Sequence, residues 1–219
     1  MPAFPTALLD GLIDRVLGLM AGRPRVVIGI AAPPGAGKST LAEALAVALQ
    51  SGGPRPALAR DEVAVVPMDG FHLADVTLDA LGRRGRKGAL DTFDGDGYVA
   101  ALRRIRAAGP RPIHLPGFER ELEQPIAAAI TVAPAARVVI TEGNYLLMDA
   151  EPWDEVAGLL DESWYLDVDD EVRRARLVAR HVRFGKSPGE ARAWVDGVDE
   201  PNAALIAATR GRASLVIAL

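Results

Sequence analysis

The most specific chemical signal in this chain is a glycine-rich segment at residues 32–40, which has the sequence APPGAGKST. Gly35 and Gly37 allow backbone conformations that a side chain would obstruct, so consecutive backbone N–H groups can point into one concave site. Lys38 could reach the terminal phosphates of a nucleotide, and the Ser39 hydroxyl could bind Mg²⁺. The segment therefore predicts a loop that binds ATP together with Mg²⁺. The residues expected to contact the nucleotide are Pro34, Gly35, Ala36, Gly37, Lys38, Ser39 and Thr40.

Two acidic residues are candidates for further parts of a phosphoryl-transfer site. Asp69 follows a predicted strand at residues 63–68, and Glu142 ends another at residues 137–141. Ligands of a doubly wound sheet bind beyond the carboxyl ends of its strands, so both acids are expected near the phosphate loop. Asp69 could accept the proton of an acceptor hydroxyl or hold that hydroxyl in line, and Glu142 could hold Mg²⁺ through water. The simpler alternatives are a turn-forming Asp-Gly pair and a solvated strand end.

A row of arginines indicates a second source of positive charge. Arg173, Arg176, Arg180 and Arg183 recur at intervals of three, four and three residues on a predicted helix at residues 169–184. Like charges in this arrangement repel one another unless something anionic neutralises them. Acids in the first turn of the helix could pair with Arg173, as on any solvated basic face, but none lies near Arg180 or Arg183 in the sequence. The positions of these two arginines indicate that the helix is part of a lid that closes over the nucleotide phosphates.

The elements expected to position these residues alternate between strand and helix. Apolar runs rich in β-branched residues predict strands at 25–31, 63–68, 137–141, 162–166 and 215–219. Helical periodicity and capping signals predict helices at 5–21, 39–50, 95–108 and 169–184, with another that starts after Ser187. Buried strands that alternate with helices imply a parallel sheet covered on both faces.

The composition is ordinary for a globular protein and excludes several classes of site. The chain has 219 residues, of which 49% are hydrophobic and 25% charged, and its formal net charge is −4. A generic nucleic-acid binder usually has the opposite balance of charge. The absence of cysteine excludes disulfides, thiolate zinc sites and cysteine nucleophiles. No export signal is visible, so we expect a cytoplasmic protein with no membrane or nucleic-acid partner.

Several segments and residues outside the predicted site are expected to have structural positions and no role in the chemistry. His114 lies between two apolar residues and is expected at a buried strand position. Trp153, Trp164 and Trp194 are expected in the core or at an interface. The stretch at residues 82–88, rich in glycine and arginine, is expected to be a mobile surface loop.

Together these segments resemble the phosphoribulokinase/uridine kinase/bacterial pantothenate kinase superfamily of P-loop kinases. More narrowly, they resemble its nucleoside/nucleotide kinase-like branch, which includes proteins described as fructose-transport-associated kinases. The matching segments, in the order of the family, are APPGAGKST, PMDGFH, RRGRKGALDTFD, LPGFER, TEGNYLL and RLVARHVRFGKS, followed by DEPN at residues 199–202. The phosphate loop alone is shared by many ATPases, but its combination with DGFH and TEGNYLL is much more specific. The resemblance implies an α/β fold, the P-loop NTPase three-layer sandwich, with a mainly parallel sheet, helices on both faces and a small helical lid.

The resemblance also implies roles for individual residues. Asp69 would be the catalytic base, Glu142 a magnesium-site acid, and Arg180 and Arg183 lid residues that act with Lys38 on the transferred group. The residues expected to contact the acceptor are His72, Arg86, Lys87, Asp94, Phe118, Arg120, Tyr145 and Asn202. His72 could equally have a structural role.

Three positions depart from the pattern of the family. Ala32 replaces a glycine of the phosphate loop, Leu90 stands where relatives often have proline, and Glu119 stands where aspartate often precedes the arginine. The last two lie in the acceptor segments, so they bear on the identity of the acceptor more than on nucleotide binding.

We therefore predict a single domain over residues 1–219 that transfers a phosphoryl group from ATP·Mg²⁺ to a hydroxyl of a small metabolite. Its predicted parts are the N-terminal helix at 5–21, the phosphate loop at 32–40, an acceptor region at about 69–125 and a lid at about 176–190. A nucleoside, a sugar or polyol, and a pantothenate-like acceptor all fit. The alternatives are a nucleotide-binding regulatory ATPase without such an acceptor and a structural domain with a vestigial loop. The amphipathic N-terminal helix would also allow a homodimer.

Overall fold

The computed structural model describes residues 4–219, in which strands and helices alternate along most of the chain. The elements are α1 (Thr6–Leu19), β1 (Val26–Ala31), α2 (Lys38–Ser51), β2 (Val63–Pro67), α3 (Asp75–Ala80), α4 (Gly95–Ala107), β3 (Ile113–Glu119), β4 (Gln124–Val132), β5 (Val138–Gly143), α5 (Val156–Leu159), β6 (Glu162–Asp167), α6 (Asp170–Arg183), α7 (Pro188–Trp194), α8 (Glu200–Ala207) and β7 (Leu215–Ala218). A π-helical turn at Val195–Asp199 joins α7 to α8. Residues 1–3, which belong to the predicted single domain, lie outside the described residues.

Five strands form one parallel sheet in the order β2-β5-β1-β6-β7. Every residue of β1 is buried, as expected for a central strand that is covered on both faces. The register places Ala31 beside Gly143, so β1 and β5 end at the same edge of the sheet. The predicted α/β fold with a mainly parallel sheet is confirmed.

Two apolar cores, one on each face of the sheet, follow from the alternation of side chains along its strands. Ile28 and Ile30 of β1 face the layer formed by α1 and α2, where they join Leu41 in the first core. Val27 faces the opposite layer, where it joins Leu102 of α4 in the second core. Because successive strand residues point to opposite faces, this strand contributes to both cores and fixes a three-layer arrangement.

An antiparallel hairpin of β3 and β4 stands apart from the main sheet, and the sequence analysis did not predict it. Its register shifts between Leu115 and Gly117. His114 lies on this hairpin, but it is exposed and its Nδ1 lies 3.1 Å from the Thr131 hydroxyl. The prediction of a buried His114 is wrong because only one face of β3 packs on the protein, and that face carries its two apolar neighbours.

Ion pairs tie the glycine- and arginine-rich stretch to its surroundings, although it was expected to be a mobile loop. A short 3₁₀ turn spans Arg84–Arg86, and Arg84 pairs with Asp75 and Asp79 of α3 at 2.8 and 2.9 Å. Of the three tryptophans, Trp153 and Trp164 are buried in the cores as expected. No helix within residues 4–219 is long and apolar enough to cross a membrane.

Candidate active site

The phosphate loop connects β1 to α2 and depends on two glycines for different reasons. Gly35 has a φ of +82°, and a Cβ there would lie 2.7 Å from Leu177 Cγ of α6. Gly37 has a φ of +100° and caps the N-terminus of α2, where its surroundings are open. Side chains rarely adopt such φ values, so both positions favour glycine. The loop thus presents the free N–H groups of the first turn of α2 to an anion while it packs against α6.

The alanine that replaces the first glycine of the loop fits its position without strain. Ala32 is completely buried and belongs to the core on the α1–α2 side of the sheet. Among the described residues, the non-glycine positions with positive φ do not include Ala32. A methyl group is therefore compatible with the loop conformation.

Lys38 is buried at the base of the loop, with its ammonium group held by oxygen atoms. Its Nζ donates to the carbonyl oxygens of Ala32 and Pro33 at 2.9 and 3.2 Å and to Asn144 Oδ1 at 2.6 Å. Burial lowers the pKa of Lys38 to about 8, although the negative charges of Glu142 and Asp69 oppose this shift. An anionic phosphate group would favour the charged lysine.

Ser39 and Glu142 form the part of the site that could hold a metal ion. The Ser39 hydroxyl donates to Glu142 Oε1 at 2.8 Å. Burial and the nearby charge of Asp69 raise the pKa of Glu142. Mg²⁺ is usually held by one or two protein oxygens together with substrate phosphates and water, so this donor pair fits such an ion.

Asp69 lies just beyond the end of β2, at the start of a short 3₁₀ turn, and faces the phosphate loop. Arg120 Nη2 donates to Asp69 Oδ2 at 3.1 Å. Burial alone would raise the pKa of Asp69, but the positive charge of a protonated His72, followed by the charges of Arg120, Lys38 and Arg180, outweighs burial and lowers that pKa. Burial also lowers the pKa of His72 and favours the neutral ring. The charges that keep Asp69 ionised at neutral pH are therefore those of Arg120, Lys38 and Arg180.

Two arginines of α6 face the site from the side opposite to β2. Arg176 and Arg180 line the same cleft as the phosphate loop. Arg180 is half-buried, and burial together with the neighbouring charge of Arg120 lowers the pKa of its guanidinium. Arg183 is the last residue of α6 and is exposed, with its guanidinium over the ring of Phe184. The structure therefore separates Arg180 from Arg183, which the sequence analysis had treated as equivalent.

These groups surround one cleft of about 860 Å³. The predicted site residues that line it are Pro34, Gly35, Gly37, Lys38, Ser39, Thr40, Asp69, His72, Lys87, Phe118, Arg120, Glu142, Arg180 and Asn202. His72 packs against Phe93 and Phe118, with ring centroids 3.9 and 4.8 Å away. We call the part of the cleft around Asp69, His72, Lys87 and Phe118 its acceptor end.

The structure does not bring Ala36, Arg86, Asp94, Tyr145 or Arg183 into the lining of this cleft. Ala36 is buried in the core, and its N–H donates to the carbonyl oxygen of Pro33. Arg86 pairs with an aspartate of its own loop, and Asp94 accepts a hydrogen bond at the start of α4. Tyr145 is fully buried and donates to the carbonyl oxygen of Gly88 at 2.6 Å. The contacts of these residues stabilise the segments that surround the cleft.

Among the lining residues that were not predicted as site residues are Asn144, Arg176, His181, Trp194 and Asp199. Asn144 belongs to the TEGNYLL segment and Arg176 to the arginine row, so both carried a usable signal. His181 and Asp199 are separated in sequence and meet only through the fold. Trp194 was expected in the core or an interface, but it lines the cleft, where its ring centroid lies 6.3 Å from that of His181 on α6.

The arrangement combines an anion-binding loop, a buried ammonium group, an ionised carboxylate and several guanidinium groups within one cleft. An anion such as a nucleotide phosphate would be bound at the N-terminus of α2. A hydroxyl group next to Asp69 would have a hydrogen-bond acceptor in reach, and the cations around it could stabilise negative charge during transfer.

Comparisons with known proteins agree with this geometry. A model of the Phosphoribulokinase / Uridine kinase family matches residues 27–187. A protein named "Putative uridine kinase" from Schizosaccharomyces pombe is 36% identical over 180 residues, which cover 80% of this chain and 74% of that protein. The "Uncharacterized protein YggC" of Escherichia coli is 34% identical over 194 residues, which cover 88% of this chain and 77% of that protein. The crystal structure of a "putative fructose transport system kinase" from a Silicibacter species is 38% identical in sequence, with a TM-score of 0.82 over 95% of this chain and 98% of that chain.

Proposed function

This chain belongs to the phosphoribulokinase/uridine kinase family, and we propose that it transfers the terminal phosphoryl group of ATP to a hydroxyl group of a small metabolite. The observation that carries the proposal is the position of Asp69. This carboxylate faces the same cleft as Lys38 and the phosphate loop, and it is kept ionised by three neighbouring cations. A protein that only bound or hydrolysed a nucleotide would not need an ionised, arginine-held carboxylate beside a further open volume.

Asp69 acts on the acceptor in this proposal. Its carboxylate hydrogen-bonds the reacting hydroxyl, orients it towards the terminal phosphate and accepts its proton as the new P–O bond forms. Arg120 holds one carboxylate oxygen at 3.1 Å and leaves the other available to the hydroxyl. Because the pKa of Asp69 is lowered, the carboxylate is a weak base, which takes the proton only as the new P–O bond forms.

Ser39 and Glu142 hold Mg²⁺ in this proposal, and the ion supplies charge neutralisation for the phosphate oxygens when it is bound. The Ser39 hydroxyl donates to Glu142 at 2.8 Å, and both residues line the cleft. Both side chains could therefore contact such an ion, the carboxylate directly or through water.

Lys38, Arg176 and Arg180 neutralise the charge of the phosphates. Lys38 approaches from the loop and the two arginines from α6, so the transferred group lies between cations on two sides. Contacts of arginine with the transferring phosphoryl group can raise the rate by about 10³-fold or more. Enclosure by α6 would also limit the access of water, which competes with the acceptor.

The acceptor is a nucleoside, a sugar or polyol, or a pantothenate-like compound in this proposal. The names of two relatives refer to uridine and to fructose transport, and both compounds offer hydroxyl groups. The cytoplasmic location, the absence of nucleic-acid and membrane partners, and a homodimer stay predictions from the sequence.

The test is an ADP-release assay with ATP·Mg²⁺ and a panel of nucleosides, sugars, polyols and pantothenate-like compounds. We expect at least one compound to raise ADP release well above the rate without acceptor and to gain a phosphoryl group, detected by mass spectrometry. Slow ADP release that no compound accelerates would instead support a regulatory ATPase.

A further inference from the structure

The helical segment that follows the lid contains a π-helical turn, which places one carboxylate in the cleft. The turn spans Val195–Asp199, between α7 and α8. Pro201 follows it, and a proline in a helix lacks an N–H group and clashes with the carbonyl four residues earlier. The wider turn accommodates this proline. Single π-turns in helices often occur at functional sites. Here the turn brings Asp199, which is only 9% exposed, to the wall of the cleft.

Asp199 is held by one of its carboxylate oxygens and has the other free. His181 of α6 donates from Nε2 to Asp199 Oδ2 at 2.8 Å. Within residues 4–219, no group donates to Oδ1 of Asp199. This atom is not fully buried either, since the fully buried side-chain atoms without a partner do not include it. The free oxygen is therefore a fixed hydrogen-bond acceptor with access to the cleft.

This carboxylate shares the cleft with the residues of its acceptor end. Tyr145, whose hydroxyl donates to Gly88, has its pKa raised by burial and further by the charges of Asp199, Asp91 and Asp69. The Asn202 side chain lies one turn further on, donates to the carbonyl oxygen of Val198 at 2.9 Å and also lines the cleft. Asp199 thus lines the same cleft as Asp69.

Three of the cations in the cleft, Arg84, Lys87 and Arg120, are already paired with acids of the protein. Lys87 Nζ lies 2.7 Å from Asp75 Oδ1, and Arg84 Nη2 lies 2.8 Å from the other oxygen of Asp75. Arg120 is paired with Asp69. A carboxylate or phosphate on the acceptor that used one of these three cations would have to displace its acid, and close to Asp199 it would also be repelled by that carboxylate.

We propose that Asp199, oriented by His181, determines acceptor specificity by accepting a hydrogen bond from a second hydroxyl group of an uncharged polyhydroxy compound. The inference rests on the proposed function, because it assigns the acceptor of the same site. Asp199 discriminates in two ways. Its carboxylate binds a hydroxyl group that lies at the correct distance from the reacting hydroxyl, and it repels an anionic group at that position. His181 is a positioning residue, since it acts on the acceptor only through Asp199.

The first experiment compares kcat/KM for uncharged and anionic acceptors with ATP·Mg²⁺. The uncharged set is D-fructose, ribitol and uridine, and the anionic set is D-fructose 6-phosphate, D-gluconate and pantothenate. We expect the best acceptor to be uncharged. A larger kcat/KM for any anionic compound than for all the uncharged ones would overturn the inference.

The second experiment uses variants of the π-helical turn with the best uncharged acceptor. Asp199→Ala should raise the KM for this acceptor by about tenfold or more while the KM for ATP stays within about twofold. Asp196→Asn is the matched control, because Asp196 lies on the same turn but pairs with Arg174 outside the lining of the cleft. His181→Gln, whose amide can still donate, should retain a lower acceptor KM than His181→Ala. An unchanged acceptor KM in Asp199→Ala would contradict the assignment.

A deoxy series separates a contact of Asp199 from a general effect on folding. Removal of the one acceptor hydroxyl that Asp199 binds should lower kcat/KM of the wild-type enzyme about tenfold but leave kcat/KM of Asp199→Ala almost unchanged. Equal losses in both proteins for every deoxy compound would show that Asp199 makes no such contact.

Binding measurements distinguish a failure of this inference from a failure of the proposed function. The uncharged compounds are tested by thermal shift with a non-hydrolysable ATP analogue and Mg²⁺. Binding that depends on Asp199, without transfer from ATP, would leave the inference standing and refute the kinase proposal. Transfer of the phosphoryl group only to anionic compounds would refute the inference and leave the kinase proposal standing. If no uncharged compound binds or reacts, the inference is wrong.

Discussion

Arg120, just beyond the end of β3, lies 3.1 Å from Asp69, just beyond the end of β2. This ion pair joins the separate hairpin to the main sheet at the point where the acceptor is expected. Gly70 permits the approach, because the carbonyl oxygen of Pro116 would lie 2.2 Å from a Cβ at this position. The close packing of the hairpin on a bare backbone therefore sets the position of the arginine that orients Asp69.

Gly70→Ala should lower both stability and activity. The added methyl group meets backbone atoms of β3, which cannot rotate away, so the hairpin must shift at a cost of about 1–3 kcal/mol. Urea denaturation would measure this loss, together with a fall in kcat. Gly189→Ala is the matched control, because no atom lies within 4 Å of its added Cβ. Similar free energies of unfolding for both variants would show that the hairpin can shift without a loss of stability.

Asp69→Asn should remove most of the transfer activity while ATP affinity stays within a few-fold of wild type. The amide cannot take the proton of the acceptor, and general-base contributions are typically about 10²–10⁴-fold. Steady-state kinetics with the accepted compound would give the loss in kcat, and calorimetry would give the ATP affinity. Normal transfer by the variant would refute the role assigned to this carboxylate.

Arg180→Ala and Arg183→Ala should differ, although both residues belong to the same arginine row. Arg180 lines the cleft, so its loss should reduce kcat by about 10³-fold. Arg183 is exposed beside Phe184 and should be replaceable with an effect on kcat within about threefold. The pair of variants is compared in the same assay. Equal losses would mean that the lid moves far enough to bring Arg183 into the site.

ATP binding should weaken as the pH rises through the pKa of Lys38. Burial lowers this pKa to about 8 in the protein without nucleotide, and the charged form is the one that attracts phosphate. Binding must then take up a proton at alkaline pH. Between about pH 7 and about pH 9, the apparent affinity should fall by about tenfold through this group. Calorimetry in buffers of different ionisation enthalpy would detect the proton uptake, and its absence at alkaline pH would contradict the assignment.

The geometry around the phosphate loop was predictable because its signals are local. The loop at residues 32–40 lies between an apolar strand and a helix, and Glu142 ends a strand that pairs with β1. Parallel strands bring their carboxyl ends to one edge, so the contact between Ser39 and Glu142 follows from the fold class.

The acceptor half depends on contacts between distant segments, and the sequence predicted it less well. The hairpin of β3 and β4 was missed because its outer strand is largely exposed and lacks a clear apolar alternation. His181 and Asp199 meet only because the chain turns back after α6 and passes through a π-helical turn. Tyr145 matched an acceptor segment, yet it is buried beneath the cleft.

The most direct test of this account is calorimetry of ATP·Mg²⁺ binding to wild type and to Lys38→Ala, with Asp69→Asn as a control that retains the loop. We expect Lys38→Ala to lose affinity by at least about 30-fold, because a buried charged partner of the phosphates is removed. Circular dichroism would verify that the variant is folded. Unchanged ATP affinity in a folded Lys38→Ala protein would mean that the loop between β1 and α2 does not bind the phosphates, and the kinase assignment of this cleft would be wrong.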